Sequence, residues 1–210
     1  MNVLVLAGDR YHPAVVPTEG LEPLRAQGWS FDIIEDGSRV NAALLSRYPV
    51  VLSAKSDGPV TEGQPGWLDA EVAAALQGYV VAGGGLLVVH SGAAGMNDRE
   101  ELRSLFGGLF AWHPAQLEVA FEPMASHPLT EGVKGFAAMD EHYFMNMAEE
   151  PVDMFLTSRS RHGAVPAGWA RTQGQGRVAM LTPGHNVPVW LNVNFQRLLV
   201  NALRWCAGEV

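Results

Sequence analysis

The stretch Gly83-Gly84-Gly85-Leu86-Leu87-Val88-Val89-His90-Ser91-Gly92-Ala93-Ala94-Gly95 decides the fold: a glycine turn runs into an apolar strand that stops at two polar residues among small ones. Glycine carries no Cβ, so the chain around His90 is free to bend sharply and to admit a ligand or a neighbouring helix at close range. His90 holds the outer corner of this elbow, where nucleophile-elbow enzymes place Ser or Cys, and Ser91 follows it. A polar ring ending an apolar strand needs a partner, which makes His90 a candidate functional residue.

Upstream, Val3-Leu4-Val5-Leu6 closed by Ala7-Gly8-Asp9 reads as a central strand buried on both faces of a parallel sheet. A helix through Leu21, Leu24 and Arg25 ends near Gly28, a strand follows at Phe31–Ile34, a short helix spans 41–47, and another apolar strand covers Val50–Leu52. Trp67, Leu68, Val72, Ala75, Leu76 and Tyr79 recur at three- and four-residue spacings, predicting a helix that ends at the glycine turn. Past the elbow, Asn97 with Glu100 reads as a helix cap, and Gly107-Gly108 as its stop. This alternation predicts a doubly wound α/β sheet whose ligands bind beyond the carboxyl ends of its strands. Between Trp112 and Arg171 the pattern changes to short extended pieces, a β-rich insertion on the edge or face of the sheet. A core strand then runs from Gly176 to Thr182, and an apolar stripe from Phe195 to Cys206 marks the last helix. Residues 1–210 read as a single domain.

Composition excludes several functions. The net charge of −8, with only 14 Lys and Arg and no basic run, disfavours both nucleic acid and anionic membranes as partners. The first apolar run is too short for a signal peptide or a span and has no basic start, which predicts a cytoplasmic location. Cys206, the sole cysteine, excludes an internal disulfide and a thiolate cluster, and its helical spacing marks it as core rather than catalytic.

His12, His90 and His185 all lie at or just after predicted strand ends, which share one rim in a parallel sheet. His113, in Trp112-His113-Pro114, is placed to fold back over that rim, and Asp140-Glu141-His142-Tyr143 brings carboxylates and a phenol from the insertion. Imidazole and carboxylate together serve as general acid and base near neutral pH, or bind a divalent metal such as zinc. His90, His185 and Glu141 are the candidate catalytic residues; His12, Ser91, Trp112, His113 and Tyr143 are candidates for substrate binding. No His-x-x-x-His or similar spacing occurs, so any metal site would be assembled from distant segments and its ligands stay open at this stage. Trp112 and Trp190, beside His113 and His185, offer an apolar wall for sugar rings, whereas Trp67 and Trp205 read as core. His127-Pro128 reads as a turn, His142 and His162 as solvated, and either Asp140 or Glu141 as the acid that faces the rim.

Taken together, Tyr11-His12-Pro13, Gly84 through Ser91, Gly107-Gly108 through Pro114, His127 through Gly132, Asp140 through Tyr143 and Gly176 through His185 give the chain its resemblance to the ThuA-like family, named for trehalose utilisation, within the class I glutamine amidotransferase-like superfamily. The resemblance spans nearly the whole chain and implies a flavodoxin-like, mostly parallel sheet. It also implies work on trehalose or related disaccharides, including 3-keto forms, beside a partner dehydrogenase. His90 stands where glutamine amidotransferases keep their cysteine nucleophile, so the thioester route of a glutaminase is closed. The expected activity is acid/base or metal-assisted chemistry on a small sugar; the alternative is a non-catalytic carbohydrate-binding or regulatory module. Domains of this size and class commonly pair, so a homodimer is expected.

Overall fold

A computed structural model describes residues 1–58, 66–96, 98–124 and 127–210. In chain order the elements are β1 (Asn2–Ala7), α1 (Val15–Arg25), β2 (Ser30–Ile34), α2 (Ala42–Leu45), β3 (Val50–Ala54), α3 (Ala70–Val81), β4 (Gly85–Val89), α4 (Glu100–Phe106) and β5 (Gly108–Trp112). They continue with β6 (Leu117–Pro123), β7 (Phe136–Asp140), β8 (Phe144–Met147), β9 (Asp153–Ser160), β10 (Gly163–Gln173), β11 (Gly176–Leu181), α5 (Val187–Trp190) and α6 (Val193–Cys206).

Among the described residues one large sheet has the order β2-β1-β3-β4-β11-β10-β9-β6-β7. Its first five strands are parallel, and the remaining four join antiparallel beyond β11. The insertion expected between 112 and 171 is thus the antiparallel half, attached at the sheet edge, with β5 and β8 pairing separately as a two-stranded ribbon. The fold is α/β with a large mixed sheet.

The parallel half is covered on both faces because its strands carry apolar side chains on both. In β1, Val3, Val5 and Ala7 join one core with Leu21 and Leu24 of α1 and Phe195, Leu198 and Leu199 of α6. Leu4 and Leu6 point the other way, into a core with Leu76 and Val80 of α3 and Leu102 and Phe106 of α4. Successive strand residues face opposite sides, so an unbroken apolar run needs two helical layers. Each fully buried Leu or Val adds about 1.5–3 kcal/mol.

Local signals account for the element ends. Asn41 caps α2 through a hydrogen bond accepted from Leu44 N. The helix expected from Trp67 starts later, at Ala70, because the Asp69 side chain accepts Val72 N and caps it there. Trp67 precedes the helix, and its indole N–H donates to Ser56 O at 2.9 Å. The expected cap Asn97 lies outside the described residues; α4 begins at Glu100, and Gly107 ends it in the left-handed region at φ +80°. Pro166 sits in β10 where the register against β9 shifts, as a residue without an N–H requires. No helix among the described residues is long and apolar enough to cross a membrane.

Candidate functional site

Three carboxyl ends in the parallel half of the sheet each deliver one imidazole. His12 follows β1, His90 ends β4 and His185 follows β11, while Glu141 arrives from the antiparallel half just after β7. His185 Nδ1 lies 3.1 Å, His90 Nε2 3.3 Å and His12 Nε2 3.8 Å from Glu141 Oε2. These four donor atoms all fall within 4.8 Å of one another. His113 Nε2 approaches the other carboxylate oxygen, Oε1, at 3.5 Å from the mouth of the site.

The elbow has the geometry that its small residues foreshadow. His90 has φ +47°, a left-handed conformation that a side-chain-bearing residue adopts only at a cost. The chain then makes a short 3-10 turn over His90–Ala93 packed on β3; a Cβ at Gly92 would stand 2.1 Å from Ser53 O. Ser91 is buried and donates to Ala54 O at 3.0 Å, so it braces the elbow rather than facing the cavity.

Each imidazole is oriented from behind. His12 Nδ1 meets Asp9 Oδ1 at 2.9 Å, and the same carboxylate accepts the N–H groups of Tyr11, His12 and Ser56, tying the loop after β1 to the loop after β3. His90 Nδ1 meets Thr182 O at 2.7 Å. Asp140, fully buried, accepts from Gly184 N, His185 N and Glu141 N, and so fixes two residues of the cluster from opposite halves of the sheet. Buried Lys55 donates to Gly8 O beside Asp9.

Electrostatics follow from this crowding. Burial favours the neutral ring of His12, yet the hydrogen bond to Asp9 and the nearby Glu141 carboxylate outweigh it and push its pKa up to about 9. Burial dominates at His90 and drives its pKa down. Burial alone would raise the Glu141 carboxyl, but the rings of His12, His185 and His90 crowded around it outweigh that and hold it well below the usual range. A carboxylate so stabilised is a weak proton acceptor.

Above the cluster lies a cavity of about 590 Å³, lined by Tyr11, His12, Ser56, Gly58, Ala94, Gly95, Phe110, His113, Glu141, Tyr143 and His185. That volume suits a small ligand, and the mix of aromatic faces with a few polar groups suits a sugar. Tyr143 is buried and stacks on the His90 ring with centroids 4.0 Å apart. His90 lies beneath the lining.

The structure therefore gathers His12, His90, His113, Glu141, Tyr143 and His185, and leaves Trp112 and Ser91 outside the cavity wall. Trp112 is half exposed and stacks on Phe144 at 4.3 Å. Trp190 is core, its indole donating to Gly184 O, and offers no wall to a ligand. His142, expected to be solvated, is 1% exposed and bonds to Ser158 and Ser160. In the link between β7 and β8, Glu141 and Tyr143 face the cavity while His142 turns to Ser158 and Ser160 of β9, which accounts for the difference. Asp9, Lys55 and Asp140 were missed as supports; an acid three residues before a loop histidine, as in Asp9-x-x-His12, was the available signal.

The chain matches the family model ThuA, described as trehalose utilisation, over residues 2–206. No curated protein matches it in sequence. Its fold is similar to that of a ThuA-like protein from Parabacteroides merdae, with a TM-score of 0.78 and 19% identity over 100% of this chain and 90% of that one. A ThuA-like protein from Bacteroides uniformis gives 0.72 and 20%, over 98% and 91%. The cold-adapted beta-galactosidase of Rahnella sp. R3 gives 0.68 and 16%, the likeness covering 97% of this chain but 31% of that one. At these identities the likeness concerns the fold.

Proposed function

Since the chain belongs to the ThuA family of trehalose utilisation, we propose that its His-rich cavity is the active site of an enzyme acting on trehalose, a related disaccharide or a 3-keto derivative of one. The observation that carries this reading is the convergence of three imidazoles and one carboxylate on the floor of a cavity of sugar size. His113 is the proton-transfer group: it reaches Glu141 at 3.5 Å, sits at the mouth and stands outside the buried cluster. Held protonated by Asp9 and Glu141, His12 stabilises the oxyanion that develops on a keto oxygen as His113 takes the proton from the neighbouring carbon, and returning that proton to carbon completes an isomerisation or epimerisation. A 3-keto sugar is the product of a dehydrogenase, which makes such an enzyme the natural partner.

The order β2-β1-β3-β4-β11, with helices on both faces, supports assigning the parallel half to the doubly wound, flavodoxin-like class. Glutaminase chemistry lacks its nucleophile, because His90 occupies the elbow and the sole thiol, Cys206, is buried in α6.

The test is turnover of trehalose, simple glucosides and their 3-keto forms, with binding followed by tryptophan fluorescence. Conversion of a 3-keto form, lowered about 10²–10⁴-fold in kcat by His113→Ala with little change in KM, is expected. Sugar binding without turnover of any of these compounds would instead identify a non-catalytic binding module.

A further inference from the structure

The geometry points to a divalent transition-metal site in which His12 Nε2, His90 Nε2, His185 Nδ1 and a carboxylate oxygen of Glu141 bind one ion of the zinc or manganese class. Among the described residues, these three ring nitrogens are buried without any hydrogen-bond partner, although all face the same point. Buried nitrogens left unpaired are costly, and three around one centre call for a common partner.

The other side of each ring supports the same conclusion. His12 Nδ1 points to the Asp9 carboxylate and His90 Nδ1 to the Thr182 carbonyl, groups that only accept, so both Nδ1 atoms carry a hydrogen and each ring turns its Nε2 inward as the atom left to take an ion, which would displace any proton held there. Metal-ligating histidines are held in this manner by carboxylates and backbone carbonyls. Ligands about 2.0–2.2 Å from an ion stand roughly 3.3 Å apart in a tetrahedron. The separations of 3.1, 3.3 and 3.8 Å from Glu141 bracket that value. Three imidazoles with one carboxylate suit zinc, manganese or iron in preference to magnesium or calcium, which favour all-oxygen sites. Because His12, His185 and Glu141 also line the cavity, a bound ion would meet ligand there. Two adjacent sugar oxygens form the matching chelate.

The inference stands apart from the sugar reading because it is tested without sugar. Chelator-treated protein is titrated calorimetrically with Zn²⁺ and Mn²⁺, and the Co²⁺ form is read by its visible spectrum. One equivalent per chain is expected, with imidazole-type Co²⁺ bands. Glu141→Gln and His185→Ala should abolish the bands, and Asp9→Asn should weaken Zn²⁺ binding about 10–100-fold. His162→Ala, an exposed ring between β9 and β10 outside the site, should bind as the unaltered protein does, and circular dichroism establishes that each variant is folded. Absence of stoichiometric binding of either ion, or binding that survives in folded Glu141→Gln and His185→Ala, overturns the site. Metal binding without sugar turnover sinks the proposed function alone, and sugar turnover by a protein that binds neither ion sinks only the metal site.

Discussion

At the scale of single residues, the most informative is His90, held at φ +47°. The left-handed region costs a residue with a Cβ about 1–2 kcal/mol, and glycine almost nothing. His90→Gly should therefore be more stable than His90→Ala by about 1 kcal/mol in urea unfolding, although both lose the imidazole. Equal stabilities would mean that the elbow relaxes once the ring is gone. The strain is tolerated because the ring is clamped between Thr182 O and the face of Tyr143, and because Gly92 allows the following turn to press on β3. Glu141 and His185 depend similarly on Asp140, a residue that touches no cavity yet aligns two that do.

At the scale of elements, α6 and the entry to α3 make separate predictions. Cys206 packs in α6 against β4, its thiol donating to Leu86 O at 3.5 Å, and burial pushes its pKa up to about 12. In the folded protein the thiol should stay silent toward an aromatic disulfide at about pH 8, with one equivalent reacting on unfolding. Prompt native reaction would show that α6 opens. Between β3 and α3, Asp57 accepts Leu68 N at 2.7 Å, and burial raises its pKa above the ordinary 3.8. The folded state thus holds this proton more tightly than the unfolded one, so the contribution of Asp57 to stability is greatest below 3.8 and declines as pH rises through the raised value. Asp57→Asn keeps an acceptor for Leu68 N and cannot ionise. Its stability relative to the parent should climb across that window and then level off; a flat difference in a pH series of urea melts would contradict the raised value.

At the scale of the whole molecule, the parallel half was readable because its strands are unbroken apolar runs punctuated by glycine, as in Val3–Leu6 and Gly85–Val89. The antiparallel half was readable only as a β-rich region. Its strands are short or interrupted, as at Pro166, and pair across distant segments whose order local pattern does not encode. The site divides in the same way. His12, His90 and His185 were visible from their position after strand ends, a rule of topology that needs no contact information. The inward turn of His142, the core position of Trp190 and the supporting roles of Asp9 and Asp140 depend on what each side chain meets in space, and sequence spacing does not report that.

The sheet joins its two halves along the β10–β11 pairing, and the cluster straddles that seam: imidazoles from one side, the carboxylate from the other. A nascent or partly melted chain with only one half assembled has no complete centre, however native its helices. The cluster therefore requires both halves at once, so a population in which either half has frayed lacks it while keeping a nearly native spectrum.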